Sequence, residues 1–496
     1  MDRARFLTLA LAVCGGVLLG LAGPPGVFPG AEFLVVPGLA LLFEVCSRDR
    51  GRKLALYIFG VVALGTVAWS LRHVAVVGLV LICVLGGLYM LGLCWVVRAT
   101  GRGLGDGAVP WVSALGWTAF ETVRSHFPWI PYPHGQVSHA FYEQLWLLRP
   151  VANVGEAGMN FLVALLAAGG LALLRRRSVL PLASCVLLWG LLSIPFAPAE
   201  PVGAPIRVAL VQHALPSYAD QPGVRPQLRG ELAQLRPFAE EMFAEEMGMV
   251  DLSVWPESAW GMAGADEPRF LRDVATELGR SGVLLAGGAG RPSKSEPGRY
   301  CGAAFLTNFD GDVLGVREKR YRVPIGEFLP PFVAWLRWFF PGMPNVREGR
   351  DLPIPALPDG RQIGLLICFE NAFPAAFAKL ATEGASLFAV VSWEGWYRLG
   401  TELDQMLAMS VFRALETGSP VLRATNDGIT AIVDGDGRII DRLPVGRAGI
   451  LRGETQPSRA SRAAVRWGES LAAALLGVLI LFGLIAVACI RRQGAA

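Results

Sequence analysis

Residues 362–373 read QIGLLICFENAF, and the prediction of the fold starts from this stretch. A run of mainly aliphatic residues ends at Cys368, and an aromatic residue and an acid, Phe369 and Glu370, follow at once. A short apolar run of this kind is typical of a buried strand. A buried cysteine at a strand end is more often inert than reactive, so the chemistry of Cys368 depends on which other side chains the fold brings to it.

Similar short apolar runs surround this stretch and predict further buried strands. They lie at 206–212, 251–257, 282–288, 303–309 and 387–393. A helix is predicted over 402–416, with an apolar face formed by Leu403, Leu407, Val411 and Leu415. FDGDV (309–313) and VDGDGRI (433–439) predict hairpin turns. This part of the chain is therefore predicted to be an α/β domain.

The whole chain is too apolar for a soluble enzyme. Of its 496 residues 53% are hydrophobic and 17% are charged, and the net charge of +4 does not indicate nucleic-acid binding. Eight apolar runs suggest membrane spans: 6–23, 32–47, 54–71, 74–97, 108–125, 153–174, 179–196 and 470–490. The fifth is the weakest because it contains Glu121 and Arg124. A signal peptide is the alternative for the first, since MDRAR is basic, but the seven further spans favour a membrane domain.

Arginine and lysine are concentrated in alternate loops, which predicts the topology. They lie at the N-terminus, in the loops after the second, fourth and sixth spans, and in the C-terminal tail. With eight spans, these basic segments all lie on one side, the cytoplasm. We therefore predict about seven transmembrane helices over 1–199, an extracytoplasmic catalytic domain over 200–465, and a C-terminal transmembrane helix with a short cytoplasmic tail over 466–496.

The eight cysteines do not predict a metal site or a disulfide framework. Six lie within or at the end of apolar runs, and only Cys301 and Cys368 fall in polar-rich sequence. No CxxC motif and no cysteine–histidine cluster occurs. Neither a metal nor another cofactor is predicted, since the chemistry proposed below needs none.

Three residues at other predicted strand–loop junctions could assist Cys368. SVWPES presents Glu257, whose partly desolvated carboxylate could act as a general base. REKRYRVPIGEF presents Lys319, which could stabilise an oxyanion, and Glu327. The alternative base, His213, ends the first strand, but nothing in its local sequence favours a Cys–His pair.

Each of these signals is weak by itself. Glu257 could cap a helix, and Lys319 lies in a basic run that could be a solvated face. The specific signal is their order, because WPE, then a lysine with VPIGE, then CFE each fall where a strand meets a loop.

This order resembles the nitrilase, or carbon–nitrogen hydrolase, superfamily with its Glu-Lys-Cys triad, whose fold is a four-layer αββα sandwich. With its predicted spans, the chain is similar throughout to the apolipoprotein N-acyltransferase family. FPWIPYPHGQ (127–136) and NVGEAGMNFLV (153–163) resemble the family's membrane half, and residues 413–439 resemble its later nitrilase segment.

The resemblance implies Cys368 as nucleophile, Glu257 as base and Lys319 as oxyanion stabiliser, with Glu327 and Glu370 in support. It implies a ping-pong reaction in which a glycerophospholipid acylates the cysteine and the α-amine of a diacylglyceryl-cysteine lipoprotein takes the chain. A bacterial inner-membrane location, an extracytoplasmic site, a monomer and no nucleic-acid partner complete the expectation. A membrane-anchored amidase with water as acceptor is the alternative, and a catalytically inactive scaffold is a third interpretation.

The chain departs from the family at the acceptor side of the expected pocket. Phe369 stands where the family often has tyrosine, Trp393-Glu394 stands where it typically has Asn-Asp, and Met406 replaces an expected histidine. The aromatic stretch FLPPFVAWLRWFFPG (328–342) predicts either a buried helix or, preferably, a segment at the membrane interface. The predicted substrate-binding residues are Trp335, Trp338, Phe339, Trp393 and Trp396.

Overall fold

The computed structural model describes residues 2–74, 76–194, 198–214, 237, 241, 250–257, 259, 283–286, 290–292, 299–308, 312–338, 345–397, 400–459 and 462–495. The chain divides into two compact units. The first comprises Met1–Phe196, Gly400–Ala408 and Arg466–Ala496, and the second comprises Ala197–Leu399 and Met409–Val465.

The first unit is built from apolar helices. They are α1 (Arg3–Ala22), α2 (Val35–Ser47), α3 (Arg52–Val67), α4 (Leu71–Val74), α5 (Val76–Leu104), α6 (Val109–His126), α7 (Leu145–Leu148), α8 (Val151–Leu174), α9 (Leu180–Leu192) and α12 (Ala463–Ala495). Short 3-10 helices occur at Ala31–Leu34, Asp106–Ala108 and Val137–Phe141. A helix lies at each of the eight positions where a span was predicted.

Four of these helices, α1, α5, α8 and α12, are long and apolar enough to cross a membrane, among the residues that the structure describes. Helices α2, α3 and α9 have 13, 16 and 13 residues, fewer than the roughly 20 that a straight span needs. The predicted number of eight crossings therefore stays a prediction.

Helix α6 carries two buried charged residues, which explains its weak hydropathy. Arg124 donates from Nη1 to the carbonyl oxygens of Tyr132, at 2.7 Å, and of His134. Glu121 Oε1 accepts the Val137 N–H at 2.8 Å. Both side chains thus provide hydrogen-bond partners for main-chain groups of residues 132–137, the segment that follows α6. Irregular backbone in an apolar unit requires such partners because no water is available to replace them.

The second unit consists mainly of strands. They are β1 (Glu200–Pro201), β2 (Ile206–Gln212), β3 (Leu252–Val254), β4 (Val283–Ala286), β5 (Gly290–Pro292), β6 (Tyr300–Thr307), β7 (Val313–Glu318), β8 (Gln362–Ile367), β9 (Ala385–Ser392), β10 (Val421–Thr425), β11 (Ala431–Val433), β12 (Ile439–Arg442), β13 (Gly449–Thr455) and β14 (Ser458–Arg459). The remaining elements that the structure describes are helices α10 (Pro374–Thr382) and α11 (Glu402–Thr417) and three 3-10 helices, at Pro331–Trp338, Cys368–Ala372 and Gly395–Tyr397.

The strands form two large sheets. The five-stranded sheet has the order β12-β11-β10-β9-β8, with β8, β9 and β10 parallel. The seven-stranded sheet has the order β13-β2-β3-β4-β6-β5, with β7 also paired to β6 and β2, β3 and β4 parallel. Strands β1 and β14 pair separately.

The two sheets pack face to face. Their shared core takes every second residue of the central strands: 206, 208 and 210 from β2, 363, 365 and 367 from β8, and 387, 389 and 391 from β9. On the other face of β9, Phe388 packs against Phe377 of α10 with ring centroids 4.9 Å apart. The prediction of two packed sheets with helices outside them is confirmed for the residues that the structure describes.

The predicted strands match the observed ones closely, and the 433–439 turn joins the antiparallel strands β11 and β12. Strands β6 and β7 also pair antiparallel, but residues 309–311 of their predicted turn lie outside the described residues. The helix predicted over 402–416 is present, but more of its surface is buried than the single apolar face that was predicted. Helix α11 buries Leu403, Leu407, Val411 and Leu415, and it also buries residues around the rest of its circumference, Phe412 among them.

Candidate active site

Four strands end where the candidate site lies, and each is followed by a residue of the site. Glu257 lies three residues beyond β3, Lys319 follows β7, Cys368 follows β8, and Trp393 follows β9. Strands β3 and β7 belong to one sheet, and β8 and β9 to the other. The site therefore draws on both layers of the sandwich, and its parts are fixed by strands with buried side chains.

Lys319 is fully enclosed, with 1% of its side chain exposed, and it contacts two carboxylates. Its Nζ donates to Glu327 Oε1 at 2.7 Å and to Glu257 Oε1 at 3.3 Å. Glu327 Oε2 also accepts the Val323 N–H at 2.7 Å, which closes the turn between Lys319 and Glu327. The ammonium is therefore held in one position, as a donor to a developing oxyanion must be.

The main chain of Trp393 connects Glu257 with Cys368. Its N–H donates to Glu257 Oε2 at 3.1 Å, and its carbonyl oxygen lies 3.8 Å from Cys368 Sγ, which donates to it. Glu257 therefore contacts Lys319 through one carboxylate oxygen and the Trp393 N–H through the other, and the Trp393 carbonyl joins this pair to Cys368.

Cys368 has a φ of 53°, in the left-handed region that side chains with a Cβ rarely adopt. It begins the 3-10 helix Cys368–Ala372, so the chain turns sharply at the end of β8. Backbone strain of this kind costs on the order of 1–3 kcal/mol and persists only where surrounding contacts enforce it. Glu370 makes such a contact, because its carboxylate accepts the N–H of Ile367, the residue before Cys368.

Glu370 is 2% exposed and accepts three main-chain N–H groups. Oε2 accepts from Ile367 at 2.9 Å, and Oε1 accepts from Arg320 at 2.8 Å and from Tyr321 at 3.3 Å. It therefore connects the turn that carries Cys368 with the segment that follows Lys319. The supporting contacts of Glu370 are therefore made to the main chain of these two segments.

Burial and charge set the protonation states of the three central groups. Burial and the nearby Glu257 charge raise the pKa of the Cys368 thiol to about 12, so it is neutral at rest. Burial also raises the pKa of Glu257 above its usual range, although the Lys319 charge opposes this. For Lys319, burial alone would lower the pKa, but Glu257 and Glu327 outweigh it and hold the pKa well above its usual value. A neutral thiol beside a carboxylate of raised pKa is suited to base-assisted attack.

The predicted aromatic site residues differ in how far their side chains are exposed. Phe369 is buried and meets Phe373 edge to face at 5.1 Å. Trp393 and Trp396 lie together with ring centroids 5.7 Å apart, and Trp396 is exposed. Trp335 and Trp338 are 55% and 88% exposed on the 3-10 helix Pro331–Trp338, so the alternative of a buried helix is wrong. Phe339 lies outside the described residues.

Sequence reasoning missed the contacts that fix Trp393 from both sides. Glu394 forms a fully buried ion pair with Arg423 and accepts the Ser392 hydroxyl at 2.9 Å. Asn426 accepts the Glu394 N–H at 2.8 Å and donates its own N–H to the Ser392 carbonyl oxygen at 3.2 Å. The available signal was two opposite charges beside or within mainly apolar strands, Glu394 two residues after β9 and Arg423 in the middle of β10.

His213, the alternative base, is buried directly after β2, and burial lowers its pKa to about 4, which makes it a weak base. Within the described residues, no group of three or more His, Cys, Asp or Glu side chains could hold a metal ion.

The chain matches known protein families over most of its length. Residues 15–169 match the apolipoprotein N-acyltransferase N-terminal domain, and residues 207–464 match the carbon–nitrogen hydrolase family. An apolipoprotein N-acyltransferase of Geobacter metallireducens is 29% identical over 93% of this chain and 92% of its own length. One of Ralstonia nicotianae is 31% identical over 100% of this chain and 96% of its own length.

Among solved structures, the chain is similar to Saccharomyces cerevisiae Nit3, a member of branch 10 of the nitrilase superfamily, at 17% identity and a TM-score of 0.39. That similarity covers 56% of this chain and 96% of Nit3. The two matched domains and the relatives along the full length together carry the assignment. The chain belongs to the apolipoprotein N-acyltransferase family, within the carbon–nitrogen hydrolase superfamily.

Proposed function

We propose that this chain transfers a fatty acyl group from a glycerophospholipid to the N-terminal α-amine of diacylglyceryl-cysteine in lipoproteins, through a thioester on Cys368. The single observation that carries this proposal is that Lys319 donates to Glu257 and that the main chain of Trp393 joins Glu257 to Cys368. The helices able to cross a membrane support a lipid substrate, and the family relatives support the acceptor.

In the first half-reaction the Cys368 sulfur attacks the carbonyl carbon of a phospholipid ester. Glu257 takes the thiol proton as the S–C bond forms, and the carbonyl oxygen becomes an oxyanion beside Lys319 Nζ and the Phe369 N–H. The ester C–O bond then breaks, and Glu257 returns the proton to the departing alkoxide. The products are a lysophospholipid and a thioester on Cys368.

In the second half-reaction the acceptor amine attacks the thioester carbonyl. Glu257 removes a proton from the attacking nitrogen as the N–C bond forms, and the same donors stabilise the oxyanion. The C–S bond breaks, and the sulfur regains a proton from Glu257. Burial raises the pKa of Glu257 toward neutral pH, and this shift favours both directions of proton transfer.

The aromatic 3-10 helix Pro331–Trp338 is the proposed entry for the acyl chain. It begins four residues after Glu327 and exposes Phe332, Trp335 and Trp338. Exposed indole and phenyl rings of this kind are stable at the headgroup level of a bilayer. The distribution of basic residues supports an inner-membrane protein whose catalytic domain lies on the extracytoplasmic side, and we propose that it acts as a monomer.

Intact-protein mass spectrometry tests the chemistry. The full chain in detergent is mixed with a phospholipid, and a fatty-acyl mass is expected on Cys368 and absent from Cys368→Ala. Cys301→Ala, which removes the other cysteine in polar-rich sequence, is the matched control and should still become acylated. A diacylated lipopeptide should discharge the acyl group.

The same measurement separates transfer from hydrolysis. Rapid discharge by water alone would instead support the membrane-anchored amidase. Failure to acylate Cys368 under any condition would refute the thioester mechanism.

A further inference from the structure

A basic cavity in the first unit is not used by the proposed reaction. It has a volume of about 340 Å³ and lies among the C-terminal ends of α2, α5 and α8 and the start of α6. Its polar lining residues, called here the polar wall, are Arg98, Arg102, Arg175, Arg177, Ser47 and Asp106. Its apolar lining residues, called here the apolar wall, include Phe43, Val97, Val109 and Leu171. The lining therefore offers partners to both an anion and hydrocarbon.

The charge of this region is positive even after its ion pairs are counted. Arg98 pairs with Asp49 at 2.8 Å, Arg177 pairs with Asp106 at 3.0 Å, and Arg175 pairs with Glu44. Arg48 and Arg52 share the carboxylates of Glu44 and Asp49. With Arg102, the cluster has six arginines and three carboxylates, a difference of +3.

Arg102 is the arginine most available to a ligand. It is exposed at the mouth of the cavity and forms no ion pair with any residue in the described part of the chain. The Arg177 side chain is 48% exposed, and its partner Asp106 is 68% exposed. A guanidinium in an exposed pair can turn to a phosphate at little cost, because such pairs are weak. Guanidinium groups also match phosphate oxygens in bidentate geometry.

We propose that this cavity binds an anionic phospholipid, with its phosphate on the arginines and the first part of an acyl chain on the apolar wall. A free phosphate would use only the polar wall, whereas a lipid uses both. The basic pocket lies where helices end, which is the depth of lipid headgroups, and basic pockets of this kind favour anionic lipids. The predicted topology assigns these helix ends to the cytoplasmic side, so this lipid is separate from the acyl donor.

Native mass spectrometry of the full chain tests this site without relying on activity. All proteins carry Cys368→Ala, so that no lipid is consumed. The probes are dioleoylphosphatidylglycerol, dioleoylphosphatidylethanolamine and inorganic phosphate. We expect the phosphatidylglycerol adduct to dominate over the phosphatidylethanolamine adduct and to weaken as salt is raised.

Substitutions in the cavity locate the site. Arg102→Gln should weaken phosphatidylglycerol retention roughly fivefold, and Arg102→Gln with Arg177→Gln roughly thirtyfold, since each arginine contributes a similar factor. The matched control is Arg3→Gln with Arg491→Gln, which removes two charges from termini predicted on the same side and should leave retention unchanged. Unchanged thermal unfolding of Arg102→Gln, whose side chain is exposed, shows that a loss is not a folding defect.

Three results would overturn the proposal. Equal retention of the two lipids would remove the anion preference. Equal retention by the double variant and the wild-type cavity would place the lipid elsewhere. Displacement of phosphatidylglycerol by inorganic phosphate as readily as by a second anionic lipid would assign the site to a free anion.

Discussion

Replacing Lys319 with methionine removes the ammonium that lies between Glu257 and Glu327. Lys319 Nζ is 2.7 Å from one carboxylate and 3.3 Å from the other, and the lysine is 1% exposed. Without it, the oxyanion loses a fixed donor, which typically reduces the rate by about 10²–10³-fold. Methionine fills a similar volume, so the variant tests charge more than packing.

A second effect of the same substitution acts on the base. Burial already raises the pKa of Glu257, and the Lys319 charge opposes that rise. Without the ammonium the pKa of Glu257 rises further, so a larger fraction of the base is protonated at any given pH. The combined loss should therefore exceed the roughly 10²-fold expected from the lost donor alone.

The assay is single-turnover formation of acyl-Cys368 from phospholipid, followed by intact-protein mass spectrometry over a pH series. Residual acylation by the Lys319→Met variant should increase as the pH rises, because deprotonation restores the base. Lys379→Met is the matched control, since that lysine is 32% exposed and pairs with surface carboxylates. Exposed pairs of this kind contribute about 0–1 kcal/mol, so the control should acylate normally. If the Lys319→Met variant keeps more than roughly a tenth of the wild-type rate, the ammonium does not stabilise the oxyanion as argued.

Four further variants test the base, its supports and the proposed lipid entry. Glu257→Gln should reduce acylation by about 10²–10⁴-fold and flatten the acidic limb of the wild-type pH profile, and an unchanged limb would assign that limb to another group. Glu370→Gln replaces one of the two acceptor oxygens with an NH2 donor, so at least one of the three N–H groups loses its partner. The value of kcat should then fall while KM for phospholipid stays within about twofold; a change in KM alone would exclude the positioning role. Arg423→Met leaves a buried carboxylate unpaired and should lower the free energy of unfolding by about 3–5 kcal/mol, measured by denaturant titration, whereas a stability equal to wild type would show that the pair contributes little. Trp335→Ala with Trp338→Ala should impair turnover of phospholipid more than turnover of a water-soluble thioester, and equal losses on both substrates would remove the case for an interfacial entry.

Much of the second unit could be predicted because its strands are short apolar runs with a reactive residue directly after them. Cys368 follows the last residue of β8, so the strand pattern alone placed it at a strand end. Lys319 follows β7, a strand that was not among the predicted runs, and only the hairpin turn predicted at 309–313 pointed to it. Their contact with Glu257 could not follow from periodicity, because it depends on how two sheets pack. The resemblance to a known family supplied that step.

Other features left no periodic signal. The main-chain contacts of Trp393 depend on peptide groups, which every residue has, so no letter of the sequence identifies them. The burial of α11 around its whole circumference was missed because an amphipathic face was sought among residues that are mostly apolar or small. Glu121 and Arg124 were read as weakening a span, whereas their side chains hold an irregular segment through its main chain.

The contacts at residue 393 have a consequence for how this enzyme diversifies. The proposed proton acceptor and nucleophile, Glu257 and Cys368, are held there by an amide hydrogen and a carbonyl oxygen, neither of which belongs to the indole. Another side chain at this position could therefore suit a different lipopeptide while these two main-chain contacts are kept.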